Sequence, residues 1–133
     1  MKVKLLRALV IYVAVLAVGA ALFSTSSDSR QERTTNPRIQ KGTAAFYSGI
    51  LEGHKTACGG RYVPSELTTA HRHLPCGTKV AITNTKNGKS VVATVNDWGP
   101  KTQNRIVDVS RAVAEKLDFV KQGTTTVRVE IVQ

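Results

Sequence analysis

Two aspartates lie close together in the sequence, each beside a run of apolar residues typical of β-strands. Asp97 follows residues 91–95, and Asp108 lies eleven residues later, between Val107 and Val109. A carboxylate that is removed from water needs a partner, or its pKa rises until the group keeps its proton. A carboxyl group that holds a proton near neutral pH can act as a general acid. The alternative is that both side chains only accept backbone hydrogen bonds, Asp97 in a turn and Asp108 at a strand end.

Two side chains near these aspartates could support such chemistry. His71 lies at the end of a predicted strand, where a histidine can orient a carboxylate or share its proton; a structural role is the alternative. Trp98, the only tryptophan, directly follows Asp97. An exposed indole can stack against a sugar ring, and the alternative is a packing residue that closes one end of the fold. We expect His54 and His73 to be surface residues.

The chain has only two cysteines, Cys58 and Cys76. In an exported protein such a pair favours a disulfide, which would close a loop of about 18 residues and add about 3 kcal/mol of stability. Zinc is the alternative, because His54, His71 and His73 lie nearby. The closely spaced cysteine pair typical of structural zinc sites is missing, however. We therefore predict a disulfide, no metal site and no cofactor.

The first 40 residues differ in composition from the rest. Residues 1–23 begin with three cations and continue with sixteen uninterrupted apolar residues, 8–23, which is typical of a signal peptide or an N-terminal membrane anchor. Cleavage after Ala20 is possible, and without a cysteine nearby we expect no lipoprotein. Residues 24–40 are polar and predict a linker. The folded domain is then residues 41–133, in the periplasm or cell envelope, or secreted.

The charge of the chain narrows the choice of partner. The net charge is +10, and +7 remains after the three cations of residues 1–23 are set aside. A basic surface suits an anionic polymer such as nucleic acid, acidic lipid or a cell-wall glycan. Because export argues against nucleic acid, and a membrane contact is expected only through residues 1–23, we favour a wall glycan. We expect a monomer.

The pattern after residue 40 is mainly β. Asn87 and Gly88 predict a hairpin turn between two strands, and Ser110 can cap a helix that continues to Leu117. Six short strands and one short helix in about ninety residues suggest a small closed barrel. The predicted strands are residues 42–48, 66–71, 78–84, 89–96, 104–110 and 125–132.

Three segments carry a resemblance to a known family: residues 42–48, 67–100 and 105–117. They resemble the rare lipoprotein A (RlpA) family of double-psi β-barrels, which is similar to the first domain of expansins and to barwin-like proteins. The match runs from Gly42 to Val132. It implies a six-stranded barrel with a polysaccharide groove across one face. It also implies lytic transglycosylase activity on peptidoglycan strands that lack stem peptides.

The resemblance assigns roles to individual residues. Asp97 falls on the aspartate of the family's N-D-R-G-P motif, Asp108 on that of its I-D-L-S motif, and His71 on the histidine of its T-A-A-H motif. We therefore predict these three as catalytic, with Asp108 as the acid and Asp97 as an ionised neighbour. The candidate glycan-binding residues are Tyr47, Tyr62, Asn96, Trp98 and Arg105. A positive rim for muramic acid carboxylates is predicted from Arg72, Arg105, Lys55 and Lys101.

Three departures from the family pattern leave the function open. The family often has a glutamate at Gly60, an aspartate at Val63 and an arginine at Trp98. Because that glutamate is linked to activity in the family, the first alternative is a non-catalytic, expansin-like module that binds or loosens wall polysaccharide. A second alternative is a protein-binding barrel, such as an inhibitor.

Overall fold

The computed structural model describes residues 39–132. The predicted signal segment and most of the predicted linker lie outside the described residues. Strand β1 begins at Ile39, two residues before the predicted domain start, because Ile39 and Gln40 pair with Glu130 and Val129 of the last strand. Within the described part of the chain, no helix is long and apolar enough to cross a membrane. The strands are β1 Ile39–Phe46, β2 Thr68–His71, β3 Lys79–Asn84, β4 Ser90–Asp97, β5 Arg105–Val109 and β6 Thr124–Ile131; the helices are a 3₁₀ turn, Gly49–Leu51, and α1, Arg111–Lys116.

The six strands close into a barrel in the order β1-β5-β2-β4-β3-β6. Two of the pairs, β1 with β5 and β2 with β4, are parallel. The other four pairs are antiparallel. This closed, mixed barrel with one short helix confirms the predicted double-psi β-barrel.

Each parallel pair contains one shift of register. In the β1–β5 pair the shift lies between Thr43 and Ala44, and in the β2–β4 pair it lies between Thr69 and Ala70. Such β-bulges bend a strand and change the direction of the side chains that follow. Both candidate aspartates pair just after these shifts, as described below.

The core is built mainly from small aliphatic side chains, as the composition indicates. Phe119 adds one aromatic ring, which packs edge-on against Phe46 with centroids 5.9 Å apart. Gly42 is required where β1 approaches β5, since a Cβ there would lie 2.6 Å from the Ile106 side chain. The buried cluster comprises Ala44, Val80, Ile82, Ala93, Val95, Val107, Val109, Val113, Ala114, Leu117, Phe119, Val127 and Val129.

The predicted helix cap and hairpin are both present. The Ser110 side chain accepts a hydrogen bond from the Val113 amide, and the helix ends at its C-cap, Leu117. The β3–β4 hairpin uses a longer connection than a two-residue turn, with a positive φ of 76° at Gly88. Asn87 contributes through its side chain, whose Nδ2 donates to the Leu117 carbonyl at 3.0 Å.

Candidate active site

The two aspartates lie on either side of one residue of β2. Ala70 pairs with Asp97 of β4 on one side and with Asp108 of β5 on the other. Residues that pair directly across neighbouring strands project from the same face of a sheet, and neighbouring strands are about 4.8 Å apart. The Cα atoms of the two aspartates are therefore about 10 Å apart on one face of the barrel.

Asp97 has hydrogen-bond donors on both of its oxygens. Oδ2 accepts from the Tyr47 hydroxyl at 2.7 Å. Oδ1 accepts from the backbone amides of Ala57 at 2.8 Å and Trp98 at 2.9 Å. An ionised carboxylate only accepts hydrogen bonds, so this set of three donors suits the charged form and holds the group in one orientation.

Asp108 has very different surroundings. Its side chain is only 17% exposed, and Oδ1 lies 3.4 Å from Nε of Arg105. That contact is an ion pair without hydrogen-bond geometry. Both atoms are buried, and neither has a hydrogen-bond partner in the described part of the chain. Burial raises the pKa of Asp108, and the nearby charge of Asp97 raises it further, while Arg105 and Arg72 oppose the shift without cancelling it. Asp108 therefore holds its proton more tightly than an exposed aspartate does.

Two arginines hold the segment after Asp97 against this part of the barrel. Arg72 donates through Nε to the Pro100 carbonyl at 2.6 Å and through Nη2 to the Thr102 carbonyl. Arg105 donates to the Thr102 hydroxyl at 3.1 Å. Of the predicted positive rim, these two therefore lie beside Asp108, and Lys101 lies exposed in the segment that they hold.

The fourth residue of the predicted rim is Lys55. It belongs to the loop between β1 and β2 (residues 47–67), where it forms an isolated β-bridge with Arg61. The structure thus shows two of the four rim residues, Arg72 and Arg105, beside Asp108.

The two candidate tyrosines differ in accessibility. Tyr47 is partly exposed, and burial together with the hydrogen bond to Asp97 raises its pKa far above the usual range, so its hydroxyl remains a donor. Tyr62 is only 4% exposed; its ring centroid lies 4.7 Å from that of Tyr47, and its hydroxyl accepts from the Arg111 amide. Tyr62 thus packs behind Tyr47, and its contact with a glycan stays a prediction.

His71 is almost fully buried, with 2% exposure. Its Nδ1 accepts from the backbone amides of His73 and Leu74, both at 3.1 Å. The proton therefore lies on Nε2, which donates to the Gln40 side chain at 2.9 Å. Burial lowers the pKa of His71, and the positive charges of His73 and Arg72 lower it further. Since both nitrogens are engaged away from the aspartates, the geometry supports a role in positioning the turn after β2 in place of proton sharing.

The remaining candidates border Asp97. Trp98 is 67% exposed, which rules out the alternative of a packing residue at the barrel end. Asn96 is half-buried, and its side-chain oxygen lacks a hydrogen-bond partner within the described protein. Its backbone carbonyl accepts from the Cys58 amide at 3.3 Å, which ties the β1–β2 loop to the end of β4.

The predicted disulfide between Cys58 and Cys76 is present, with Cα atoms 5.8 Å apart. It links the β1–β2 loop to the turn before β3, where the Gly77 amide donates to the Val95 carbonyl at 2.8 Å. The bridge thus braces the loop whose Ala57 amide reaches Asp97. Sequence reasoning missed this amide, because an alanine 40 residues away carries no sequence signal.

The structure also bears on zinc, the alternative to the disulfide. Residues 39–132 contain no group of three or more His, Cys, Asp or Glu side chains that could hold a metal ion.

The two loop positions that depart from the family pattern are accessible. Gly60 has no positive φ, and a Cβ built there would meet only the Thr56 hydroxyl, at 4.0 Å. Val63 is 37% exposed. The loop therefore has room for an acidic side chain at Gly60 without a change of backbone.

Sequence comparison gives matches over nearly the whole described part. A family model described as "Lytic transglycolase" matches residues 39–129. The endolytic peptidoglycan transglycosylase RlpA of Neisseria meningitidis serogroup A is 53% identical over 91 residues, which cover 68% of this chain and 38% of that protein. The probable endolytic peptidoglycan transglycosylase RlpA of Synechocystis is 39% identical over 119 residues, covering 90% of this chain and 37% of that protein. The chain thus spans well under half the length of these relatives.

Solved structures share the fold at low sequence identity. A Streptomyces papain inhibitor matches with a TM-score of 0.59 at 22% identity, covering 71% of this chain and 94% of the inhibitor. A Clavibacter michiganensis expansin, solved in complex with cellohexaose, matches with a TM-score of 0.56 at 20% identity, covering 71% of this chain and 50% of the expansin. At these identities the likeness shows a common barrel.

Proposed function

The chain belongs to the lytic transglycolase family of RlpA-like double-psi β-barrels, and we propose that it cleaves peptidoglycan glycan strands as a lytic transglycosylase. The bond cut is the one between N-acetylmuramic acid and N-acetylglucosamine, and the product carries a 1,6-anhydromuramyl end. The names of the curated relatives support this activity.

One observation carries the proposal: burial raises the pKa of Asp108, and its Oδ2 makes no hydrogen bond within the described residues, whereas Oδ1 lies buried against Arg105. A general acid must hold a proton near the working pH and still have a free position from which to give it up. Asp97 lacks that freedom, since donors occupy both of its oxygens.

The reaction needs one carboxyl group that acts twice. Protonated Asp108 gives its proton to the glycosidic oxygen as the bond to C1 of the muramoyl ring breaks, and the glucosamine leaves with a free hydroxyl. The Asp108 carboxylate then takes the proton of the muramoyl 6-hydroxyl, whose oxygen attacks C1 and closes the anhydro ring. Asp108 ends protonated again. No water is consumed, and the sequence of steps requires no cofactor.

Neighbouring charges support both protonation states of Asp108. The Asp97 carboxylate favours the proton on Asp108 before cleavage and stabilises the positive charge that develops at C1 during cleavage. Arg105 and Arg72 stabilise the Asp108 carboxylate that exists between the two steps. In this scheme Tyr47 is a positioning residue, since its hydroxyl donates to Asp97.

The surface beside these groups offers contacts for a sugar chain. The exposed Trp98 indole adjoins Asp97 and provides a stacking surface. Arg105 and the partly exposed Tyr47 flank the same aspartates, and Asn96 precedes them. The substrate places the protein in the cell envelope, and residues 1–23 would direct its export as a signal peptide or anchor.

A second candidate function is a non-catalytic module that binds or loosens wall polysaccharide. It is favoured by Gly60, which leaves the β1–β2 loop without the glutamate that often accompanies activity in the family. In that case Trp98 and the two aspartates would bind sugar hydroxyls without breaking the chain.

The test is to incubate the full chain with peptide-free glycan strands and to identify anhydromuramyl ends by mass spectrometry. Asp108→Asn should abolish these products. Asp118→Asn is the matched control, because Asp118 is exposed and pairs with Lys89 away from the two aspartates. Strands that bind but stay intact would refute the enzyme and favour the binding module.

A Gly60→Glu variant separates the two functions further. The position accepts a side chain without strain. If the native chain already cuts strands, the added glutamate should change the rate only modestly. Cleavage that appears only in the variant would show that the native chain is a binding module with a latent site.

A further inference from the structure

A cavity opens along the same strands as the candidate acid, and it differs from the aspartate pair in charge. Its volume is about 350 Å³. We name it the basic cavity, because Lys41, Arg72 and His73 contribute nitrogen donors and no carboxylate from residues 39–132 lines it. The lining residues are Gln40, Lys41, His71, Arg72, His73 and Ile106.

The position of the basic cavity follows from strand register. Ala70 pairs with Asp108, and β2 and β5 run antiparallel. Arg72 directly follows the last residue of β2, and Ile106 precedes Asp108 by two residues of β5. Two residues of a strand span about 7 Å and return to the same face. The wall of the cavity formed by Ile106 therefore lies about one sugar unit from Asp108, on the face that carries both aspartates.

The charges around the basic cavity are left without acidic partners in the described structure. Lys41 pairs in register with Arg128 of β6, so two cations lie directly opposite each other. Like charges in that position destabilise a sheet. The ion pairs found among residues 39–132 involve Lys89, Arg105 and Arg111 instead. An anion in the cavity would relieve this repulsion.

Suitable donors for such an anion are available. Arg72 uses only two of its five N–H groups, on the carbonyls of Pro100 and Thr102. The Lys41 ammonium and the exposed His73 ring add further donors. His71 is neutral and occupied by Gln40, so it shapes the cavity wall without adding charge.

We propose that the basic cavity is a subsite for the free lactyl carboxylate of a muramoyl residue, held by Lys41, Arg72 and His73. The proposal rests on the proposed function, since a glycan strand that crosses Asp108 brings such a carboxylate within a sugar unit of the cleaved bond. Under this proposal, the specificity for a glycan strand depends on whether that carboxylate is free or blocked. An amide at the same position removes the charge and adds bulk, so strands with blocked carboxylates bind more weakly.

The experiment measures binding to two glycan preparations that differ only at this group. One carries free lactyl carboxylates, and the other has been converted to methylamides. The full chain with Asp108→Asn is used, so that strands remain intact during titration. Lys41→Met and His73→Gln are introduced into it singly and together; Lys121→Met, in a separate surface cavity that also contains acidic residues, is the matched control.

We expect Lys41→Met to weaken binding of the free-carboxylate strands about threefold, and the double variant about tenfold, with little change for the methylamide strands. Lys121→Met should weaken both preparations equally and slightly, through net charge alone. Equal losses on both preparations for Lys41→Met, or no loss on either, would overturn the subsite while leaving glycan binding intact.

Two further outcomes distinguish a failed function from a different ligand. If the chain binds neither preparation, the proposed function fails and the subsite fails with it. If a polyglutamate peptide binds and loses affinity in the double variant, while the glycans are unaffected, the basic cavity is a site for an acidic protein segment and the subsite is refuted.

Discussion

Asp97 and Asp108 occupy equivalent places in the barrel and have opposite surroundings. Each pairs just beyond a register shift in a parallel strand pair, Asp108 with Ala45 and Asp97 with Ala70. Asp97 receives three hydrogen bonds, from a tyrosine hydroxyl, an amide of the β1–β2 loop and the next backbone amide. Asp108 lies against Arg105 with a buried oxygen that lacks a hydrogen bond.

This difference indicates how a barrel with repeated geometry can give two like residues unlike chemistry. The strands supply two positions on one face, and the connecting loops decide what each carboxyl group experiences. The β1–β2 loop fixes Asp97, whereas burial beside β1 and β2 changes the proton affinity of Asp108. The environment of each carboxyl group therefore decides that Asp108 acts as the acid and Asp97 as the supporting anion.

The largest effect is expected when the candidate acid is removed. Asp108→Asn should lower the rate of strand cleavage about a thousandfold, because general acid–base catalysis is lost. The same change should not lower the melting temperature at neutral pH, since it replaces a buried carboxyl by a neutral group of the same shape. Mass spectrometry of the released products tests the loss of cleavage, and thermal unfolding tests the unchanged melting temperature. If Asp108→Asn still cleaved strands at the native rate, a group other than Asp108 would be the acid.

The disulfide should affect the Asp97 side of the pair. Since Cys58 and Cys76 are the only cysteines, reduction acts on this bond alone. We expect a loss of about 3 kcal/mol in the free energy of unfolding. The fluorescence of Trp98, the sole tryptophan, should report loosening at Asp97, and reoxidation should reverse both effects. An unchanged stability after complete reduction would contradict a bracing role.

Local patterns in the sequence predict the elements of this fold well. The Ser110 cap, the hairpin near Gly88 and the alternation of residues 125–132 each depend on contacts within a few residues. These features can be predicted from sequence because a helix cap or a strand face is defined by side chains that are close together in the chain. The family resemblance supplied the barrel topology, which short-range patterns leave open.

The contacts that distinguish the two aspartates could not be predicted in this way. Tyr47 and Asp97 are 50 residues apart, and the donor from Ala57 is a backbone amide without a side-chain signature. The burial of Tyr62 depends on packing against Tyr47. Such contacts follow from the register of parallel strands and the path of a long loop, which are properties of the whole fold.

Replacing Asp97 tests whether its hydrogen bonds stabilise the fold. Asp97→Ala should lower the free energy of unfolding by about 2 kcal/mol, because three donors lose a charged acceptor at a partly exposed site. Asp97→Asn should cost less, since the amide oxygen can still accept from the Ala57 and Trp98 amides. Chemical denaturation of both variants gives the comparison. If Asp108→Ala proved equally costly through lost hydrogen bonds, the contrast between the two sites would be wrong.

The smallest effect is expected in the pH dependence of stability. The folded protein holds the Asp108 proton more tightly than the unfolded chain, whose aspartate has a pKa near 3.8. As pH rises from that value through the raised pKa of the folded state, the unfolded chain loses its proton first, so this contribution to stability falls. His71 acts in the opposite direction. Its folded pKa is lowered, so stability falls when pH drops below 6.5 and the unfolded chain binds a proton first.

The difference between the native chain and Asp108→Asn isolates the aspartate, because both proteins keep His71. We expect the variant to gain stability relative to the native chain as pH rises above 3.8, and to hold that gain above the folded pKa of Asp108. Cleavage by the native chain should decline over the same upper range, as the acid loses its proton. Urea unfolding at a series of pH values gives the stability difference. A difference independent of pH would mean that Asp108 titrates as an ordinary aspartate, and the distinction between the two carboxyl groups would have to rest on Asp97 alone.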